Sequence, residues 1–148
     1  MVTKPSEVYE FLEVLESVVS DIDFTDLGKV ELGIIIETPA SAVFIDKFAK
    51  IPLLKFVSFG TNDLTQHILA VDRTNPKLMN MYNDLEPPVL RIISESVKKK
   101  ALEHGLKVEI CGELASRLIA IPILLTLGFR IFSINPRYVG LIKYVICN

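Results

Sequence analysis

Apolar residues follow two alternating patterns along this chain, one with helical spacing and the other in short continuous runs. Residues 6–20 place apolar side chains on one face of a helix. Short runs rich in β-branched and aromatic residues predict strands at residues 30–36, 56–59, 107–110 and 130–133. The first run is apolar throughout, which predicts a strand that is buried on both faces.

A helical pattern follows each predicted strand. These helices are predicted at residues 39–48, 62–70, 87–104, 116–127 and 136–146, with a short helical patch at 78–82 and a polar connection at 21–29. A leading helix followed by strand–helix units indicates an α/β fold with a parallel sheet wrapped by helices. Both a (β/α)8 barrel and an open doubly wound sheet fit this pattern. Four units would make half of a barrel, whose usual length is about 250 residues.

Composition narrows the possible functions of this chain. It has 148 residues, a net charge of −2 and one basic run, at residues 98–100, so we expect no nucleic-acid partner. The apolar runs, such as residues 119–127, are too short to cross a bilayer, and the amino terminus lacks a signal-peptide pattern. Two distant cysteines form no disulfide framework. We therefore expect a single domain in the cytoplasm, with reduced thiols and no membrane partner.

Polar side chains follow the predicted strands at the point where each strand ends. Glu37 follows the first strand, Asn62 and Asp63 follow the second, and Cys111 follows the third. The turn that contains Asn62 and Asp63 leads into a helix, so it offers an amide, a carboxylate and free backbone N–H groups together. Such a turn suits a phosphorylated anion held with a divalent metal. Taken singly, each acid is also a common helix cap, and a free cysteine is a common core residue.

Several motifs resemble those of the phosphoenolpyruvate-utilising enzymes. They are Gly33-Ile34-Ile35-Ile36-Glu37-Thr38-Pro39-Ala40, Ser58-Phe59-Gly60-Thr61-Asn62-Asp63-Leu64-Thr65-Gln66, Ala70-Val71-Asp72-Arg73 and Ile110-Cys111-Gly112-Glu113-Leu114-Ala115. Their order and spacing are similar to the C-terminal half of the phosphoenolpyruvate-binding barrel of enzyme I. Enzyme I is the phosphoenolpyruvate–protein phosphotransferase of the sugar phosphotransferase system. The segment at residues 82–91 also favours enzyme I over its relatives.

The resemblance implies a role for each of these residues. Glu37 and Asp63 would ligate Mg²⁺, and Asn62, Asp63 and Arg73 would contact the substrate, with Asn62 and Arg73 holding its phosphate. Cys111 would be the proton donor that converts the enolate left by phosphoryl transfer into pyruvate. A thiol near its normal pKa can supply that proton at neutral pH. The implied reaction moves the phosphoryl group of phosphoenolpyruvate to an enzyme histidine.

Other parts of such an enzyme would lie outside this chain. The resemblance places further substrate arginines in the first half of the barrel, and the phosphohistidine and the phosphocarrier-docking region on separate domains. His67 and His104 lack the motif of that phosphohistidine. We therefore expect the isolated chain to be inactive and to act within a longer protein. We also expect a homodimer, because half of a barrel exposes apolar faces and strand edges.

The sequence departs from the family pattern after Cys111. Ser116 and Arg117 stand where the family usually has Gly-Asp. Ser116 keeps a side chain that can cap the next helix, and the loss of the acid changes the surroundings of the site. Two alternatives stay open on the sequence. One is a fragment of a phosphoenolpyruvate synthase or pyruvate phosphate dikinase, against which the Asp72-Arg73 insertion and residues 82–91 argue. The other is a non-catalytic module that keeps the pocket for assembly or regulation.

Overall fold

The computed structural model describes residues 1–20 and 31–148, except for the side chains of residues 20 and 98–100. The polar connection expected at residues 21–29 lies outside the described residues. The strands are β1 (Leu32–Ile36), β2 (Leu54–Gly60), β3 (Lys107–Cys111) and β4 (Ile131–Phe132). The α-helices are α1 (Pro5–Ser20), α2 (Pro39–Val43), α3 (Ile45–Phe48), α4 (Thr61–Leu69), α5 (Pro87–Ser96), α6 (Ile121–Leu127) and α7 (Val139–Cys147).

The strands form one parallel sheet in the order β1-β2-β3-β4. Neighbouring strands in the sheet are therefore also neighbours along the chain, joined by helical crossovers. This order has no reversal of the kind at which a doubly wound sheet binds its ligands, and it is the order of successive units in a barrel. The predicted α/β fold with a parallel sheet is confirmed, and the barrel stays a prediction.

The core lies between one face of this sheet and the helices. Ile36, Val57, Phe59 and Ile110 are buried on that face. The ring of Phe59 meets that of Phe129 edge to face, with centroids 5.5 Å apart. Such an aromatic pair stabilises a core by more than the burial of its apolar area alone. The core beneath the ends of β2 and β3 is therefore well packed.

The opposite face of the sheet is partly open. Ile35 pairs in register with Ser58, and Glu109 pairs with Ile131. Ile35 is 48% exposed and Ile131 is 46% exposed. The prediction that the first strand is buried on both faces is therefore wrong at Ile35, although the ring of Phe56 lies over Gly33 on this face.

Helix α1 also keeps much of its apolar surface exposed. Val8 is buried, whereas Phe11 and Val14 are more than half exposed. These exposed positions agree with the reasoning that led us to expect a homodimer, which stays a prediction. Within residues 1–20 and 31–148, no helix has both the length and the apolarity to cross a membrane.

Four of the predicted helices change type or are interrupted. The helix expected at residues 87–104 is α5 followed by a π-helix at Val97–Leu102, and the helix expected at 136–146 is a 3₁₀ turn at Pro136–Tyr138 followed by α7. The helix expected at residues 39–48 is divided into α2 and α3 at Phe44, whose φ of −93° and ψ of 12° leave the helical region. The helix expected at 116–127 consists of two 3₁₀ turns followed by α6. Arg117, between the two turns, is extended, and Pro122 stands in the first turn of α6, where a missing N–H is tolerated. Ser116 ends a 3₁₀ turn, so the side chain that could cap this helix does not do so.

Candidate active site at the carboxyl ends of the strands

The sheet brings the ends of β1, β2 and β3 to one edge. Ile36 pairs with Phe59, and Gly60 pairs with Cys111. Since the three strands are adjacent and parallel, Glu37, the turn after Gly60 and Cys111 all lie at the carboxyl edge of the sheet. The structure thus gathers three of the segments on which the predicted site depends.

Glu37 lies next to Gly60, and a side chain at position 60 would crowd the side chain of Glu37. A Cβ atom built on Gly60 would lie 2.9 Å from Cγ2 of Ile35 and 3.2 Å from Oε2 of Glu37. On the other side, Nδ1 of His67 lies 3.1 Å from the backbone carbonyl oxygen of Glu37. A carbonyl can only accept, so this contact requires the proton on Nδ1. Gly60 therefore leaves room for the Glu37 side chain, and His67 has a structural role in binding the Glu37 backbone.

The turn after β2 begins helix α4 at Thr61. Gly60 precedes the helix and provides no side chain to cap it, so the first-turn N–H groups have no capping partner from that position. Asn62 is held from two sides. Its Oδ1 accepts from the backbone N–H of Glu113 at 2.9 Å, and its carbonyl oxygen accepts from the hydroxyl of Tyr82 at 3.2 Å. The turn is thus fixed before any ligand binds.

The loop after Cys111 is fastened to the same turn. The hydroxyl of Thr61 donates to the backbone carbonyl of Cys111 at 2.9 Å. Gly112 has a φ of +91°, and a Cβ atom there would lie 2.5 Å from Oγ1 of Thr61 and 3.1 Å from Oδ1 of Asn62. Only glycine permits both this backbone conformation and this close approach. Gly112 therefore brings the Cys111 loop and the Asn62 turn into direct contact.

The environment of Cys111 keeps its thiol protonated. Its Sγ lies 3.4 Å from the carbonyl oxygen of Phe59, to which the S–H donates. Burial raises the pKa of the Cys111 thiol, and the nearby Glu109 and Glu37 carboxylates add to that rise, whereas a contact with Ser58 opposes it. At neutral pH the group is accordingly a thiol that can give a proton.

The raised pKa leads to a test with an alkylating reagent. We expect iodoacetamide to modify the exposed Cys147 first at neutral pH and to modify Cys111 at a useful rate only at higher pH, because the thiolate is the nucleophile. Mass spectrometry of peptides from pH 7 to 10 measures both rates. Faster labelling of Cys111 than of Cys147 at pH 7 would contradict a protonated, half-buried thiol.

Arg73 pairs with Asp63, not with Asp72 or Asp84. Nη2 of Arg73 lies 3.5 Å from Oδ1 of Asp63, and both side chains are more than one third exposed. The carboxylate of Asp72 instead accepts from the backbone and hydroxyl of Thr74. An exposed ion pair with this separation contributes little to stability. Arg73 and Asp63 can therefore give up their pairing and bind a ligand at a low cost in free energy.

The oxygen donors at this edge fit Mg²⁺. Magnesium is usually held by one or two carboxylates, with the remaining positions taken by water and by substrate oxygens. Glu37 and Asp63 are two such carboxylates, at the ends of adjacent strands. In the described part of the chain, no three or more histidine, cysteine, aspartate or glutamate side chains are grouped to hold a metal. The chemistry of these two carboxylates is compatible with Mg²⁺, and the metal stays a prediction.

Three contact residues were missed by sequence reasoning. Thr61 and Tyr82 bind backbone oxygens of the site, and the backbone of Glu113 holds Asn62. All three lie inside the motif segments described above, so the segments were a usable signal. The individual contacts could not be predicted from them, because these contacts join residues that are 50, 20 and 51 positions apart.

This chain is similar to known proteins over its whole length. The model of the phosphoenolpyruvate-binding domain of phosphoenolpyruvate-utilising enzymes matches residues 1–148. A protein of Escherichia coli K12 named "Phosphoenolpyruvate-dependent phosphotransferase system" is 36% identical over 99% of this chain and 20% of its own length. A phosphoenolpyruvate-protein phosphotransferase of Borreliella burgdorferi is 38% identical over 94% of this chain and 25% of its own length.

Relatives named as synthases match equally well. A probable phosphoenolpyruvate synthase of Archaeoglobus fulgidus is 38% identical over the whole chain and 19% of its own length. The chain spans only about a fifth to a quarter of the curated relatives described here. The match of the family model over residues 1–148 shows that this chain belongs to the phosphoenolpyruvate-utilising enzymes, in their phosphoenolpyruvate-binding domain.

Proposed function

We propose that this chain binds phosphoenolpyruvate with Mg²⁺ and that, within a longer protein, it serves phosphoryl transfer from phosphoenolpyruvate with release of pyruvate. The observation that carries the proposal is the joining of the Asn62 turn to the Cys111 loop. Two hydrogen bonds and the close approach at Gly112 hold a phosphate-binding turn next to a protonated thiol. Phosphoenolpyruvate needs both, because its phosphoryl group leaves and its methylene carbon gains a proton.

Each side chain then has a separate task. The first-turn N–H groups of α4, with Asn62, hold phosphate oxygens, and Arg73 offers a planar fork of donors to the same group. Glu37 and Asp63 hold Mg²⁺, which when bound offsets the charge on the phosphoryl oxygens. The phosphoryl group passes to a histidine outside this chain, and Cys111 gives its proton to the methylene carbon of the enolate that is left. The proton returns to the thiol from solvent.

Calorimetric titration with Mg²⁺ and phosphoenolpyruvate tests this proposal. We expect binding that requires Mg²⁺, and we expect Asp63→Ala to weaken it about 100-fold, since even the outer partners of a metal site are worth about 10–100-fold. Asp46→Ala is the matched control, because Asp46 is a partly exposed acid in α3, where it pairs with Lys47. Equal loss in both variants, or Mg²⁺-independent binding, would contradict the proposed site.

The enzyme I type is the first candidate for the longer protein. It is favoured by Asp72-Arg73 and by residues 82–91, because both segments resemble those of enzyme I. Its partners would be a phosphocarrier protein, through a region outside this chain, and a second copy of the chain. The synthase type is the second candidate, favoured by the 38% identity to the Archaeoglobus fulgidus protein. Phosphoryl transfer from phosphoenolpyruvate to a phosphocarrier, measured in the longer protein, would distinguish the first from the second.

A further inference from the structure

A large cleft lies beside the proposed phosphate position and exceeds what that position needs. It has a volume of about 750 Å³, and its lining includes Asn62, Arg117, Arg137 and Tyr138. Arg73 lines a separate, smaller cavity of about 280 Å³. Tyr82 and Glu113 line both cavities and therefore stand between them. The proposed function uses Asn62 and Arg73 and leaves the arginines of the large cleft unexplained.

Arg117 is held in this cleft by a buried acid. Nη1 of Arg117 donates to Oδ1 of Asp84, whose side chain is only 4% exposed, whereas the side chain of Arg117 is 42% exposed. Burial raises the pKa of the Asp84 carboxyl, and the charge of Arg117 opposes the rise. A buried carboxylate is costly without a paired cation. The ion pair with Asp84 therefore holds the guanidinium of Arg117 in place. The remaining N–H groups of the guanidinium are left for the cleft.

Arg137 adds a second positive charge to the lining. Its guanidinium carbon lies 4.9 Å from the centre of the Tyr138 ring, and its backbone N–H donates to Oδ1 of Asn135 at 3.2 Å. Among the ion pairs of the described residues, none involves Arg137. A stacked guanidinium keeps its N–H groups free for an oxyanion. Arg137 is therefore a positioned cation without a carboxylate partner.

Two arginines and two acids line the cleft, so its net charge is zero, and a preference for anions has to come from where Arg137 lies. Arg117 is balanced by Asp84, Arg137 is not balanced, and Glu113 brings one negative charge on the side shared with the smaller cavity. The positive charge is thus placed away from Arg73, on the far side of Tyr82 and Glu113. Arginine is suited to planar recognition of carboxylate and phosphate groups.

We propose that Arg117 and Arg137 form a second oxyanion subsite in the large cleft, which takes a carboxylate or phosphate group apart from the Mg²⁺-dependent position at Asn62 and Asp63. This subsite goes beyond the proposed function, because it requires neither Mg²⁺ nor Asp63. The ligand class is a small oxyanion, or a larger ligand whose second anionic group reaches this part of the cleft.

Titration of the 148-residue chain without Mg²⁺ tests the subsite. Inorganic phosphate is the probe in one arm and acetate in the other, with amide shifts in ¹H–¹⁵N spectra as the readout. We expect saturable shifts in the cleft, and we expect Arg137→Gln to weaken binding about tenfold, the equivalent of one charge-assisted hydrogen bond. Saturation by phosphate alone would assign the subsite to phosphate groups, and saturation by both would assign it to oxyanions in general.

The other variants distinguish binding at the subsite from an effect of net charge and from the Mg²⁺-dependent binding of the proposed function. Arg91→Gln removes an exposed arginine of α5 that pairs with Glu95, so it is the matched control and should leave binding unchanged. The double variant Arg117→Gln with Asp84→Asn should weaken binding without leaving a buried charge unpaired. Asp63→Ala should leave this binding intact while it weakens the Mg²⁺-dependent binding of phosphoenolpyruvate about 100-fold. The absence of saturable shifts, or equal loss in Arg91→Gln and Arg137→Gln, would overturn the subsite.

Discussion

Replacement of Gly112 by alanine is expected to separate the Cys111 loop from the Asn62 turn. The φ of +91° at Gly112 disfavours any side chain, at a cost of about 1–3 kcal/mol. The new Cβ atom would also lie 2.5 Å from Oγ1 of Thr61, so the bond from Thr61 to the Cys111 carbonyl has to lengthen or break. That lost bond would add about 1 kcal/mol. Urea denaturation would measure the loss of stability, and calorimetry with Mg²⁺ and phosphoenolpyruvate would measure the loss of binding.

Gly105 provides the matched control for this substitution. Its φ is +76°, and a Cβ atom there would meet nothing within 4 Å. Gly105→Ala therefore carries a similar backbone strain without the collision. We expect it to lower stability by only about 1 kcal/mol, the strain of a left-handed residue, and to leave ligand binding unchanged. Equal effects of the two substitutions on binding would mean that the contact at Gly112 does not position the site.

The placement of the polar residues at the strand ends could be predicted because it depends on local sequence. An apolar run that ends at a polar turn places Glu37, Asp63 and Cys111 at carboxyl ends, and parallel strands bring such ends together. The openness of one sheet face could not be predicted in the same way. Ile35 lies in an apolar run that looks the same whether one face or both are covered, and its 48% exposure depends on what packs there.

Long-range pairs were beyond the reach of the sequence pattern. Arg117 was identified only as a departure from the family's usual residue, and the acid that it binds, Asp84, lies 33 positions earlier. Spacing relates residues on one helix or strand, and these two residues lie on neither. The break at Phe44 was missed for a related reason, since the apolar pattern continues across it into α3. Local periodicity predicted the elements, and tertiary contacts decided their ends and their pairings.

Replacement of Cys111 is expected to have the largest effect on chemistry. If Cys111 moves a proton at the methylene carbon, the chain with Mg²⁺ should exchange the methyl protons of pyruvate for deuterium in ²H₂O. The inactivity expected of the isolated chain concerns phosphoryl transfer. This partial reaction requires pyruvate beside the thiol but no acceptor histidine, so it can be measured on the chain itself. General acid–base groups contribute about 10²–10⁴-fold, and Cys111→Ala should lower the exchange rate by that factor. The pyruvate methyl signal in proton spectra provides the measurement.

The pH dependence and a second cysteine make this test specific. Exchange begins with removal of a methyl proton by the thiolate, and burial raises the pKa of Cys111. The rate should therefore increase as the pH rises towards that pKa and level off above it. Cys147→Ala is the control, because Cys147 is exposed near the end of α7 and should have no influence. Exchange that survives Cys111→Ala would assign the proton to another group. An intact chain that binds pyruvate with Mg²⁺ and shows no exchange would favour the non-catalytic module over the phosphotransferase.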